Sequence, residues 1–332
     1  MRRLIVAAVA AATLVGCTAP APTPEPSPPV YPLQRQLEAA VSGASAVRHL
    51  RELQRIADVN GGNRASPGPG YDASVDYVAG VLRGAGWQVS TPLVELEDGA
   101  RIRNVIAQTR TGGPDHVVMA GAHLDSVSEG AGINDNGSGV AALLEIAGRM
   151  GGSPGVVNQV RLALWGAEEV DMDGSTQYVE ELSSGDRDRI ALYLNLDMVA
   201  SPNAGYFVEG GVGRGDDAGP AGSNEVARVL AGRLTATGIR PERIEFRWDS
   251  DYVPFLEADI PAGAAFTGDE EEKTPEEAAR WGGRVGVDYD PCYHEACDRL
   301  DNIDSTALDR YTDAVAGTIA HFAMSISELP SQ

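Results

Sequence analysis

The side chains that could do chemistry in this chain stand where runs of apolar residues stop. The run 116–120 leads into Gly121-Ala122-His123-Leu124-Asp125, and ten residues on comes Gly132-Ile133-Asn134-Asp135-Asn136-Gly137. The run 160–165 leads into Gly166-Ala167-Glu168-Glu169, and the run 190–196 into Asp197. Further on stands Pro291-Cys292-Tyr293-His294-Glu295-Ala296-Cys297-Asp298. Two histidines among several carboxylates offer the mixed nitrogen and oxygen donors that suit zinc or a neighbouring first-row ion. Each has a plainer reading alone: a core histidine, a turn ahead of a helix at Asp135-Asn136-Gly137, a solvated acidic pair. Both glutamates, however, follow directly on a buried run, where uncompensated carboxylates are costly and a cation would offset that cost. No second histidine follows His294-Glu295 at the spacing of single-zinc helical proteases, and neither a Gly-x-Ser-x-Gly elbow nor a phosphate loop occurs. His49, His116 and His321 have no partner pattern and take no role.

Apolar residues at helical spacing predict two helices from Leu33 onward, broken near Ser42-Gly43 and at 60–63, and a third over 71–82 stopped by Gly84 and Gly86. Residues 89–96 and 101–109 read as strands, followed by the buried runs already named. Helical patterns at 139–150, 175–182 and 224–237 separate or follow those runs, and a last helix covers 305 to about 326. Buried strands alternating with helices imply an α/β fold with a mostly parallel sheet covered on both faces. Ligands in such sheets bind beyond the carboxyl ends of the strands, where the histidines and carboxylates fall.

Met1-Arg2-Arg3, the small-apolar run 4–15 and Leu14-Val15-Gly16-Cys17 read as a secretory signal over 1–16 ending in a lipobox, with Cys17 lipidated. The run is well short of the roughly 20 residues a spanning helix needs. Proline alternates with small or polar residues through residue 32, so 17–32 is expected to be an extended tether. No repeat or composition shift follows, which leaves 33–332 as a single domain. With 26 Lys and Arg against 48 Asp and Glu, the net charge of −22 argues against nucleic acid or anionic lipid as a partner. Membrane contact is expected only through the anchor, and the location is extracytoplasmic.

Residues 117–313 resemble the family of co-catalytic dizinc aminopeptidases, of the M28 type, in the order and kind of the segments around His123, Asp135, Glu168-Glu169, Asp197 and Tyr293-His294. The resemblance implies a three-layer sandwich, a mixed and mostly parallel central sheet flanked by helices, of the zinc exopeptidase or phosphorylase/hydrolase-like kind. It implies two zinc ions bridged by Asp135, one completed by His123 and Asp197 and the other by Glu169 and His294. A water shared between the ions would attack the peptide bond. Asp125 would orient the His123 ring through its other nitrogen. Glu168 would be the general base, and Tyr293 would help stabilise the developing oxyanion. Substrates would be peptides with a free N-terminus, and the enzyme a monomer.

A Cys292–Cys297 disulfide is expected from the oxidising compartment and from the family, and would hold Tyr293 and His294 in place. Ser250-Asp251-Tyr252-x-Pro254-Phe255 matches a segment lining the family's substrate pocket, but Asp249 stands where secreted relatives carry arginine. Asp249 is thus expected either to favour basic over acidic groups on downstream residues or to be a solvated loop residue. Asp309 and Asp313 match a calcium site of the resembled family and fit a solvent-facing pair equally well. Asp269 to Glu272 read as a solvated acidic cluster. The alternatives are a single-zinc relative of the glutaminyl cyclase kind and a zinc-binding lipoprotein without catalysis.

Overall fold

The computed structural model describes residues 30–330. The leader, Cys17 and most of the tether lie outside the described residues. Three helices come first: α1 (Pro32–Ala40), α2 (Gly43–Val59) and α3 (Pro69–Gly84). The two expected strands that follow are each split. The first becomes β1 (Gln88–Ser90) and β2 (Leu93–Glu95), the second β3 (Arg101–Arg103) and β4 (Val105–Gln108). Pro92 has no N–H to give a ladder, and β2 pairs with β3 in a separate two-stranded sheet while β1 and β4 join the main one.

The remainder runs β5 (Gly113–His123), α4 (Gly137–Met150), β6 (Asn158–Trp165), α5 (Glu168–Asp171), α6 (Asp173–Glu180), α7 (Ser184–Arg187), β7 (Ile190–Leu196) and β8 (Phe207–Glu209). Then come α8 (Ser223–Ala236), β9 (Glu242–Ile244), α9 (Val253–Glu257), β10 (Ala262–Phe266), α10 (Pro275–Trp281) and α11 (Ser305–Ala323). Strand β10 escapes sequence reading because Ala-Gly-Ala-Ala-Phe carries no β-branched residue. Its place comes from burial between β7 and β8.

The main sheet has the order β1-β4-β6-β5-β7-β10-β8-β9, with β6, β5, β7 and β10 mutually parallel. Side chains alternate between two cores, as the pleat requires. Val118, Ala120 and Ala122 of β5 face a large core with α2, α4 and α11, whereas Val117 and Met119 face a smaller one with Tyr193 and Phe255. That is the expected three-layer arrangement. The chain leaves β5 to one side for β6 and returns to its other side for β7, so the carboxyl ends of these strands open a crevice.

Candidate metal centre

Rigid strand ends and short loops bring the predicted donors to that crevice. His123 is the last residue of β5, Asp197 follows β7, and Glu168 and Glu169 open α5 just beyond β6. Asp135 ends the loop before α4, whose first turn is capped by the Asn136 side chain accepting the Gly139 N–H at 3.0 Å. Position 139 must be glycine, since a Cβ there would lie 2.9 Å from the Leu196 carbonyl oxygen. The backbone is bent sharply around the donors: Ala167, Met198 and His294 have φ of 56°, 47° and 56°. Such left-handed conformations cost a non-glycine residue about 1–3 kcal/mol each and persist only where the surroundings enforce them.

A tetrahedral ion with bonds of roughly 2.0–2.2 Å sets its ligand atoms roughly 3.3 Å apart. His123 Nε2 lies 3.1 Å from Asp135 Oδ1 and 3.3 Å from Asp197 Oδ1. His294 Nε2 lies 3.2 Å from Asp135 Oδ2 and 3.1 Å from Glu169 Oε2. The two oxygens of Asp135 therefore face different histidines, the disposition of a carboxylate shared by two ions. Glu168 Oε2 stands farther off, 3.9 Å from His123 Nε2. Two sets of donors fall mutually within 4.8 Å, one of His123, Asp135 and Glu169 and the other of His123, Glu168 and Asp197. Proximity alone thus does not separate Glu168 from the ligands. Glu169 Oε1 is buried and has no hydrogen-bond donor among the described residues, as an oxygen reserved for a cation would be.

The electrostatics fit the same chemistry. Burial opposes a charge on His123, yet Glu168, Asp197, Asp125 and Asp135 outweigh it and hold its pKa well above the ordinary value. Contacts with Asp135 and Glu169 raise His294 to about 10. Burial pushes Glu168 far up and Glu169 up to about 7, aided by the neighbouring carboxylates. Positive charge is what the cluster lacks, and a divalent cation would displace these protons.

A second layer of buried polar groups holds the loops. Asp298 accepts the N–H groups of Asn134 at 2.8 Å and Asp135 at 3.0 Å. Asp290 accepts the Asn134 amide at 2.6 Å. The buried Arg64, which sequence reasoning passed over, donates to the carbonyls of Leu124, Ala131 and Gly132 and so spans the loop between His123 and Asp135. Ser250 donates to Asp197 at 2.6 Å. Asp125 sits beside the His123 ring with Nδ1 to Oδ1 at 3.7 Å, too long for a hydrogen bond, and accepts the Glu168 N–H at 3.3 Å. Cys292 and Cys297 form a disulfide enclosing Tyr293 and His294, whose rings stack at 3.9 Å.

His123, Asp135, Glu168, Glu169, Asp197 and His294 line a cleft of about 290 Å³ that also takes in Tyr293, Met172, Met198, Glu209, Arg247, Asp249, Ser250, Tyr252, Phe266 and Asp269. Burial, with Asp135 and Asp197, keeps the Tyr293 hydroxyl well above the ordinary tyrosine range, so it remains a donor. Two expected pocket residues do not reach the cleft. Asp251 is buried behind it, and Phe255 stacks on Tyr193 at 3.8 Å in the smaller core, because α9 turns its apolar face to the sheet. Asp249 is not a solitary loop carboxylate: it pairs with Arg247 at 2.9 Å and accepts from Tyr252 at 2.9 Å. Asp269 departs from its expected solvated setting, being buried and paired with Arg247. Asp309 accepts the Gly43 N–H at the start of α2 at 2.7 Å, and neither it nor Asp313 belongs to a donor cluster among the described residues. No described helix is long and apolar enough to cross a membrane.

Comparison with known proteins agrees in family and fold. Residues 104–319 match the model of peptidase family M28. The chain is 44% identical to leupeptin-inactivating enzyme 1 of Streptomyces exfoliatus over 89% of its own length and 63% of that protein. It is 46% identical to the probable lipoprotein aminopeptidase LpqL of Mycobacterium tuberculosis over 74% of its length and 50% of that protein. The chain thus spans between half and two thirds of these curated relatives. Among solved structures, a zinc aminopeptidase from Bacillus subtilis is similar at a TM-score of 0.56 and 27% identity, covering 68% of this chain and 51% of that one. An aminopeptidase from Aneurinibacillus shares the fold at a TM-score of 0.67 and 17% identity, covering 90% of this chain and 97% of that one.

Proposed function

From the premise that the chain belongs to peptidase family M28, we propose that it is a zinc-dependent aminopeptidase releasing the first residue of peptides with a free N-terminus. His123, Asp135 and Asp197 would hold one zinc ion and Asp135, Glu169 and His294 a second; bound there, the pair supplies Lewis-acid polarisation of the scissile carbonyl and a lowered pKa for water. Glu168 takes the proton of the attacking water and returns it to the leaving amine. Burial holds its carboxyl well above the ordinary carboxylate range. The Tyr293 hydroxyl donates to the carbonyl oxygen as charge develops on it. Asp298, Arg64 and Ser250 position the donors without touching the reacting atoms.

The observation that carries this reading is the split of Asp135, one oxygen toward each histidine. The test is a panel of aminoacyl anilides, free and N-acetylated, before and after chelation and zinc restoration. Activity restricted to free N-termini and restored by zinc is expected, with two ions per chain. One ion per chain would instead favour a single-zinc amide-acting relative. Glu168→Gln should keep both ions and lose a factor of roughly 10² or more in rate. Unchanged turnover would refute the role.

We further infer that 1–16 is a cleaved leader, that Cys17 carries lipid and that the domain acts outside the cytoplasm. The LpqL relative, by its name a probable lipoprotein, supports this. Cys17→Ser should release the protein from membranes into the medium.

A further inference from the structure

On the sheet face turned to the smaller core, a line of hydrogen bonds runs through buried side chains and ends on one of the predicted ligands. The Trp165 indole at the end of β6 donates to the Tyr193 hydroxyl at 2.8 Å, which donates to Asn195 Oδ1 at 2.9 Å. Asn195 Nδ2 donates to Ser250 Oγ at 2.8 Å, and Ser250 donates to Asp197 Oδ2 at 2.6 Å. Trp165, Tyr193, Asn195 and Ser250 are at most 3% exposed. The first two belong to β6 and β7, on either side of β5, and their polar atoms meet over Gly121 of that strand. A Cβ at position 121 would collide with the Tyr193 hydroxyl and lie 2.7 Å from the indole nitrogen, so glycine there leaves the room this bond needs.

Each link fixes the direction of the next. An indole N–H can only donate, and an ionised carboxylate can only accept. The tyrosine oxygen accepts from the indole, so its own proton goes to Asn195, which must present Oδ1. The amide NH2 is thereby turned to Ser250, whose oxygen accepts it and whose proton goes on to Asp197. Oδ2 of Asp197 is engaged in this way, while Oδ1 is buried, accepts no hydrogen bond among the described residues and lies 3.3 Å from His123 Nε2. Resting on the two-zinc reading above, we propose that Trp165, Tyr193 and Asn195 are positioning residues for Asp197: through Ser250 they hold Oδ2 and leave Oδ1 as the single oxygen offered to the cation beside His123. Without the Tyr193 hydroxyl, the Asn195 amide is free to turn its oxygen to Ser250 and compete with Asp197 for the serine proton.

Tyr193→Phe keeps the ring that stacks on Phe255 and removes only the hydroxyl. Zinc titration against a chromophoric chelator should show one ion weakened by about 10-fold and the other within about twofold of wild type, the scale on which an outer partner of a ligand acts. In a Ser250→Ala background the line is already cut, so the same substitution should change zinc affinity by less than about twofold. A role for Tyr193 in packing alone would persist in that background. Equal losses in both backgrounds, or no loss in either, overturn the inference while the two ions remain bound. Wild-type protein that takes up no zinc overturns the two-zinc reading and the inference together. Should Tyr193→Phe fold poorly, Asn195→Leu, of nearly the same size, goes through the same cycle with the same expected readout and the same refuting result.

Discussion

Replacing Asp298 by asparagine separates holding a metal ligand from being one. Oδ1 of Asp298 accepts the N–H of Asn134 at 2.8 Å, and Oδ2 accepts that of Asp135 at 3.0 Å. An amide has a single oxygen, so in Asp298→Asn one of these buried N–H groups must face an NH2 group. A buried donor left without an acceptor costs about 1–3 kcal/mol. For a domain of about 300 residues, with an unfolding entropy near 2.1 cal/mol/K per residue, that lowers Tm by roughly 2–5 °C. Asp135 is also released to tilt, and loss of such an outer partner typically weakens a metal site by about 10- to 100-fold. Because Asp135 faces both histidines, both ions should weaken together. Scanning calorimetry of the metal-free protein and zinc titration against a chromophoric chelator read the two effects separately. Wild-type affinity in the variant would show that Asp298 does not position Asp135. Weakening of only one ion would show that the carboxylate is not shared.

Glu209 should make stability depend on pH in a direction that can be signed. Burial raises its carboxyl from 4.5 to about 8, so the native state holds a proton that the unfolded state releases. The resulting stability is complete below the unfolded value and is lost as pH rises toward the folded one, at about 1.4 kcal/mol per pH unit. Glu209→Gln should therefore gain on the wild type between about pH 5 and 8 and hold that gain above; urea melts showing a constant difference would refute this. Replacing Cys292 and Cys297 together by serine should cost about 2 kcal/mol and weaken the ion held by His294 more than the one held by His123, measured by zinc stoichiometry at limiting metal. Equal retention of both ions would mean that the loop needs no covalent brace.

The donors were legible in the sequence because buried parallel strands announce themselves as apolar runs and sites form where such runs end. His123, Glu168, Glu169 and Asp197 all obey that rule. Asp135 and His294 belong to loops, and their placement came from the order of family motifs, not from any local pattern. What stayed hidden is what depends on distant contacts. Arg64 looks like an ordinary surface arginine next to Asn63, and only folding against the 124–132 loop gives it three carbonyl partners. Asp269 heads an acidic run that composition assigns to solvent, yet it follows β10, a strand too poor in branched residues to be seen. Phe255 misled in the opposite sense: it shares the smaller core with Tyr252, and of the two only Tyr252 also borders the cleft.

These differences divide the site into two halves of unequal stiffness. His123 and Asp197 are carried by the central strands β5 and β7, whose backbones the sheet fixes on both sides. His294 comes from a loop with an exposed disulfide neighbour and a left-handed φ of 56°, and its ring stacks on Tyr293. Asp135 sits between them, tied to the rigid half through α4 and to the loop half through Asp298, which lies one residue past Cys297. Any disturbance of the 290–298 loop therefore reaches the shared carboxylate before it reaches His123. A cation held by His123 and Asp197 would rest on strand ends, whereas one held by His294 would depend on a loop fixed by the polar bonds of Asp298 and by the packing of Tyr293 on the cluster of Met198, Phe207, Phe266 and Tyr289.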